Sequence, residues 1–153
     1  MVAYIMYVSL LENASCKKLW IIYSISVITD VIAEIIFLGV GGLYVYYGNQ
    51  PLVIIGEPVN LPLWWMFMNN AGLFPGIAIT FRFRDKLKGW KNFLVLPLLP
   101  LCYLGVNSAV SMTTAFAINS GSMSWIATQI IGIITCALCI CVVKGTMIVV
   151  LNK

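Results

Sequence analysis

Asp30 and Glu34 are the residues of this chain whose type, spacing and surroundings most strongly suggest chemistry. They lie one helical turn apart within an otherwise apolar run, residues 19–43. An acid at bilayer depth costs about 3 kcal/mol to insert, so such residues usually mark an ion path, a proton relay or a reaction site. Two carboxyls at this (i, i+4) spacing share one helix face and cannot both ionise cheaply. We therefore expect one to keep its proton near neutral pH, so that the pair supplies an acid and a base.

Amide side chains on the other predicted helices fall at a similar depth to the two acids. With a rise of about 1.5 Å per residue, Asp30 lies about 18 Å from the basic boundary at Lys18. The same count from the basic boundary of each other span gives about 18–24 Å for four amides. These residues are Asn69, Asn70, Asn107 and Gln129. Because Asn and Gln also bond helices together in membranes, the amides predict either a substrate-binding layer or interhelical packing bonds.

Aromatic residues are frequent between the first two predicted spans. Tyr47 lies in this segment, and Trp64 and Trp65 lie at the start of the second span. Tyr and Trp favour the membrane interface, which is sufficient to explain any single ring. Together the rings would form a wall able to stabilise a carbocation through cation–π contact. We therefore predict that these three residues bind substrate beside the acids.

The composition places the chain in a membrane. Hydrophobic residues make up 61% and charged residues 9%, with a mean hydropathy of +1.00, whereas soluble domains carry about 25% charged residues. The apolar runs exceed the roughly 20 residues that a helix needs to cross a bilayer. The predicted fold class is all-α: a polytopic transmembrane helical bundle that forms a single domain over residues 1–153.

About four spans are predicted, together with a short apolar segment at the N-terminus. The spans cover residues 19–43, 61–81, 93–116 and 125–151. Residues 1–11 are apolar but too short to span. We interpret them as an interfacial piece or as the tail of a longer helix, in which case the chain is the C-terminal part of a longer protein.

Basic residues predict the orientation. Five of them lie between residues 82 and 91, and the positive-inside rule places that loop in the cytoplasm of a multi-pass cell-membrane protein. The other lysines that then fall on the same side are Lys17, Lys18, Lys144 and Lys153. We interpret the basic loop as a topology signal, so membrane lipids are expected partners and nucleic acid is not.

The residues that are missing exclude several chemistries. The sequence contains no histidine, which removes Ser-His-Asp and Cys-His machinery, His-ligated haem and His-containing zinc sites. The five cysteines are interpreted as small apolar packing residues. No phosphate-binding loop or dinucleotide fingerprint is present, and we predict neither a metal nor a cofactor.

Three function classes remain open. In the first, a membrane-embedded enzyme acts on a lipophilic, isoprenoid-like small molecule, with Glu34 as the acid and Asp30 as its partner. In the second, a small proton-coupled transporter loads and releases a proton on the same carboxyls. In the third, the chain is a non-catalytic subunit that forms a homo-oligomer or joins another membrane protein, and the polar residues serve packing.

Several short motifs also carry a family resemblance. They are Glu34, the run YYGNQPL at 46–52, the run PLWW at 62–65 and Asn69. With these motifs the chain resembles multi-spanning bacterial membrane proteins, common among actinobacteria, that have no assigned function. The resemblance implies a multi-spanning fold and supplies no reaction. A looser likeness, in style alone, is to integral-membrane terpene cyclases, which are small helical bundles with acidic proton donors, and it assigns no residue a role.

Overall fold

The computed structural model describes residues 1–151, and helices account for most of them. Lys153, predicted to share the basic side, lies outside the described residues. The five α-helices of the described chain are α1 (Val2–Leu11), α2 (Cys16–Glu34), α3 (Leu63–Arg82), α4 (Val95–Ser120) and α5 (Trp125–Leu151). A π-helical turn, Ile35–Val40, continues α2, and a 3-10 segment, Gly89–Leu94, leads into α4. The predicted all-α bundle is confirmed.

Three helical stretches within residues 1–151 are long and apolar enough to cross a membrane. They are Cys16–Val40, Gly89–Ser120 and Trp125–Leu151, and they match three of the predicted spans. The remaining predicted span is α3, whose 20 residues reach about 30 Å. Its composition is less apolar because Asn69 and Asn70 interrupt it.

Helix α3 lies at the centre of the bundle, which explains how it tolerates these amides. It packs most extensively against α4 and α5 and also contacts α1 and α2. Its Met66, Ala71 and Phe74 are fully buried. A Cβ atom on Gly76 would lie 3.1 Å from Leu99 Cδ2, so the small residue allows α3 and α4 to approach closely.

One end of the bundle carries most of the basic residues, and we call it the basic end. Helix α2 begins there, just before Lys17 and Lys18, and α3 ends there at Arg82. Helix α1 covers the adjoining half of α3, burying Met6 and placing Tyr7 edge-to-face against Phe81 at 6.3 Å between ring centroids. The predicted N-terminal apolar segment is therefore a packed helix.

The opposite end, which we call the loop end, is closed by residues 43–62. Strands β1 (Val53–Ile55) and β2 (Leu61–Pro62) pair antiparallel within this segment. Pro51 is buried so closely against α5 that a Cβ on Gly132 would lie 2.6 Å from Pro51 Cβ. The Leu52 N–H donates to Gln129 Oε1 at 2.8 Å. These contacts fix the segment onto the bundle and hold its tyrosines beside the end of α2.

Candidate functional site

Asp30 lies on the face of α2 that meets α3, where two amides reach its carboxyl. Asn70 Nδ2 donates to Asp30 Oδ2 at 3.0 Å, and Asn69 Nδ2 lies 3.5 Å from the same oxygen. Asn70 also donates to the Met66 carbonyl at 2.8 Å. Within residues 1–151 no hydrogen bond reaches Oδ1 of Asp30. That oxygen therefore keeps its capacity to accept a hydrogen bond free within the described residues.

The hydrogen bonds continue from α3 to α4. The Tyr103 hydroxyl donates to Asn69 Oδ1 at 2.7 Å. In the orientation that satisfies its hydrogen bonds, the Asn107 amide turns its nitrogen toward the Met68 carbonyl at 3.1 Å and its oxygen toward the Tyr103 hydroxyl at 3.3 Å. It packs directly on Gly72, where no side chain would fit. We call this set the amide cluster: Asp30, Asn69, Asn70, Tyr103 and Asn107.

Glu34 is buried and has a different partner, because the chain turns back onto it. The Tyr44 hydroxyl donates to Glu34 Oε2. From Tyr44 a series of edge-to-face ring contacts runs to α3, with centroid distances of 5.7, 5.8 and 5.6 Å between successive rings. We call these four rings the aromatic cluster: Tyr44, Tyr46, Trp65 and Trp64.

The π-helical turn after Glu34 makes this return possible. In this turn a hydrogen bond spans five residues instead of the four of an α-helix, since the Gly41 N–H donates to the Ile36 carbonyl at 3.0 Å. A Cβ on Gly41 would lie 2.7 Å from the Phe37 carbonyl oxygen, and Gly42 has a φ of +55°. Two glycines therefore end the helix abruptly, and π turns of this kind are frequent at functional sites.

The phenols of the aromatic cluster are held in their protonated form. Desolvation first, and then the hydrogen bond to Glu34, raise the pKa of Tyr44 to about 12. Desolvation, followed by the charge of Glu34, also raises the pKa of Tyr46. The Tyr46 hydroxyl is buried, and its interaction with the Tyr44 hydroxyl further raises its pKa.

The structure brings together most of the residues predicted for the site, in two groups rather than one layer. Trp64 is buried, and its Nε1 donates to Gln50 Oε1 at 3.3 Å. Tyr47 does not join the rings, since its side chain is 81% exposed. Gln129 binds the Leu52 N–H at the loop end instead of meeting the other amides.

Three tyrosines of the site were not among the predicted site residues. Tyr103 lies four residues before Asn107 and so shares its helix face, a spacing that identifies it once Asn107 is a candidate. Tyr44 and Tyr46 lie in a segment without helical periodicity. Their direction depends on the π turn, for which the glycines at 39, 41 and 42 are the only sequence signal.

No family model, curated protein or solved structure matches this chain. The three long apolar helices fit a multi-pass membrane protein.

Proposed function

We propose that this protein is a membrane-embedded enzyme that uses Glu34 and Asp30 for acid–base chemistry on a lipophilic, isoprenoid-like substrate. The observation that carries the proposal is the position of Glu34, a buried carboxyl bonded to the Tyr44 phenol at the start of a series of aromatic rings. A protonated carboxyl in a dry site is an effective general acid.

The proposed reaction is a proton-initiated isomerisation or cyclisation of an alkene. Tyr44 donates to Oε2 of Glu34, so the proposal assigns the acidic proton to Oε1. As that O–H bond breaks, a C–H bond forms on the substrate and the neighbouring carbon becomes a cation. Loss of a proton from another carbon to Asp30 Oδ1 restores an alkene. Release of this proton from Asp30 to solvent, and uptake of another proton by Glu34, reset the pair.

The aromatic cluster suits the intermediate of this reaction. A cation against the face of Trp or Tyr is stabilised by about 0.5–2 kcal/mol, more where water is excluded. The rings of Tyr46 and Trp65 approach within 5.8 Å between centroids, beside the buried Glu34. They would protect a cation from water as well as stabilise it.

The surroundings of Glu34 favour a substrate that arrives from the lipid. Its neighbours in sequence Ile32, Ile35 and Ile36 are 53%, 39% and 53% exposed. In a membrane these side chains face acyl chains. A hydrocarbon dissolved in the bilayer can therefore approach the acid without crossing water.

Deuterium incorporation tests the proposal. Purified protein is incubated with an acyclic isoprenoid alcohol such as geranylgeraniol in deuterated buffer, and products are analysed by mass spectrometry. We expect a product one mass unit heavier, and a loss of at least about 100-fold for Glu34→Gln or Asp30→Asn. Glu57→Gln is the control, because Glu57 is an exposed acid of the loop end. Full incorporation by both site variants would contradict the assignment.

A proton-coupled transporter is the second candidate, and the amide cluster is the observation that favours it. Hydrogen bonds run from Asp30 through Asn69 to Tyr103, so a change in the charge of Asp30 would act on three helices at once. This function predicts solute-dependent proton uptake into proteoliposomes that Asp30→Asn abolishes. If both carboxyls can be neutralised with an effect on stability alone, a non-catalytic subunit is the better description.

A further inference from the structure

Arg82 ends α3 at the basic end and lines two adjoining depressions. One is a groove of about 240 Å³ between α3 and α5, and the other is a polar depression of about 290 Å³ beside α1. We propose that this surface is a binding site for an anionic phospholipid. The lipid phosphate would pair with the Arg82 guanidinium, and one acyl chain would fill the groove.

The groove has the form and the surface that an acyl chain requires. Its walls include Pro75 and Ile79 from α3 and Val149 from α5. Thr146 also lines it, but its hydroxyl is used within α5, donating to the Val142 carbonyl at 2.8 Å. From Pro75 to Arg82 the groove follows α3 for about 10 Å, which fits within the roughly 15 Å of one leaflet.

The Arg82 guanidinium is available for a phosphate, and its basic neighbours are engaged. Within residues 1–151 it makes no ion pair or hydrogen bond. Lys88 pairs with Asp85 at 3.0 Å. Arg84 Nη1 donates to the Phe81 carbonyl at 2.9 Å, and its guanidinium carbon lies 4.4 Å from the Phe81 ring centroid. Guanidinium binds phosphate with two parallel hydrogen bonds.

The polar depression is positively charged despite the acid on its rim. Asp85 lines it together with Arg82 and Arg84. The hydrogen bond from Lys88, and then the charges of Lys88 and Arg84, lower the pKa of Asp85. This carboxylate therefore stays ionised, and the neighbouring cations balance its negative charge. Residues 82–88 keep three positive charges in excess, which attract an anionic headgroup.

A topology signal and a lipid site make different demands on Arg82. The positive-inside rule requires a charge anywhere in the loop, and Lys at position 82 would satisfy it. A phosphate site requires the two-pronged guanidinium at the mouth of the groove. Arg82→Lys therefore separates the two, since it keeps the charge and loses the geometry.

The test is a lipid titration of the full chain in detergent, followed by native mass spectrometry. Dioleoyl phosphatidylglycerol is compared with dioleoyl phosphatidylcholine, and glycerol 1-phosphate serves as a soluble competitor. We expect phosphatidylglycerol to bind about tenfold more tightly than phosphatidylcholine. Arg82→Gln should weaken the binding of phosphatidylglycerol about tenfold and Arg82→Lys about threefold, as expected for the loss of a charge-assisted hydrogen bond. Lys91→Gln is the matched control and should stay within twofold of wild type, because Lys91 is an exposed residue of the same basic loop that lines neither depression.

Four outcomes would overturn the proposal. They are an Arg82→Gln affinity within twofold of wild type, equal losses for Arg82→Gln and Lys91→Gln, equal binding of the two lipids, and competition by glycerol 1-phosphate at the lipid's own affinity. Equal losses for the two glutamine variants would mean that the lipid responds to the overall charge of the loop. Full competition by glycerol 1-phosphate would mean that the site binds a free phosphate and that the groove contributes nothing. If Arg82→Gln melts below wild type, Arg82→Lys decides, and its binding at wild-type affinity would overturn the site.

Discussion

The two carboxyls of α2 are one turn apart, yet they are held in opposite ways. Asp30 meets amides from a packed neighbouring helix, whereas Glu34 meets a phenol that arrives on a loop. The amide cluster joins three helices, and the aromatic cluster joins the loop end to the first turn of α3. Groups on packed helices keep their geometry, while loop partners can open. Asp30 is therefore the fixed half of the site and Glu34 the half with a replaceable partner.

The largest expected effect is on the fixed half, at Gly72. In Gly72→Ala the new Cβ would meet the Asn107 amide and lie 2.9 Å from Tyr103 Cδ2. Overpacking of this kind costs about 1–3 kcal/mol, and it would separate α3 from α4. We expect a matching fall in the free energy of unfolding, measured by titration with SDS in mixed micelles.

Gly105→Ala is the control for this substitution. Gly105 lies on α4 with nothing within 4 Å of a new Cβ, so the change should be neutral or stabilising through helix propensity. Equal stability of the two alanine variants would mean that α3 and α4 are not in close contact at Gly72, and the fixed character of the amide cluster would be lost.

The next effect is expected at Asn70, which supplies the shorter hydrogen bond to Asp30. Among the described residues, Asn70→Leu leaves Asp30 with only the 3.5 Å contact from Asn69, and it should cost about 1–2 kcal/mol. The control is Asn119→Leu, since Asn119 is exposed and, within residues 1–151, bonds only the Ala115 carbonyl of its own helix. If the two leucine variants unfold alike, the bond to Asp30 contributes nothing measurable.

Depth along a helix was predictable from the sequence, and direction around it was not. The distance of Asp30 and Asn70 from the basic residues placed them in one layer, and the structure joins them. Gln129 has a similar predicted depth, but its side chain points toward the loop and binds Leu52. Counting residues gives the depth of a side chain along its helix. The direction of the side chain around the helix depends on how the helices pack, which is decided by residues distant in sequence.

The aromatic half was harder to predict for a local reason. Tyr46 and Tyr47 are adjacent, yet one ring packs between Tyr44 and Trp65 and the other is 81% exposed. Neighbouring side chains of an extended segment point in opposite directions, and the π turn decides which one faces the bundle. The apolar run to residue 43 predicted the helix itself but did not predict this change of winding.

A smaller effect on stability, with a local change in dynamics, is expected from Gln129→Leu. It leaves the Leu52 N–H without its partner and should cost about 1 kcal/mol. Hydrogen exchange should increase in residues 44–52 and stay unchanged around Asn70 and Tyr103. Asn49→Leu, an exposed position of the same loop, is the control. An equal increase in hydrogen exchange in the aromatic cluster and the amide cluster would contradict the prediction that the loop end can loosen without disturbing the amide cluster.

The smallest effect on stability, and the most selective one, is expected from Tyr44→Phe. At neutral pH it removes one hydrogen bond to Glu34 and should cost about 1 kcal/mol or less. The pKa of Tyr44 rises from 10.0 to about 12 on folding, so the folded state favours the neutral phenol. The stability that this provides is complete below pH 10 and is lost as the pH rises to about 12.

Ultraviolet difference spectra of tyrosinate follow this group directly. Tyr44→Phe should remove an ionisation step near pH 12, and its dependence of stability on pH between 10 and 12 should be weaker than that of wild type. Tyr47→Phe is the control, because that ring lies outside the cluster. If Tyr44→Phe leaves the step in place, Glu34 does not hold this phenol. The contrast between a fixed Asp30 and a Glu34 with a replaceable partner on the loop would then fail, because Tyr44 would not be that partner.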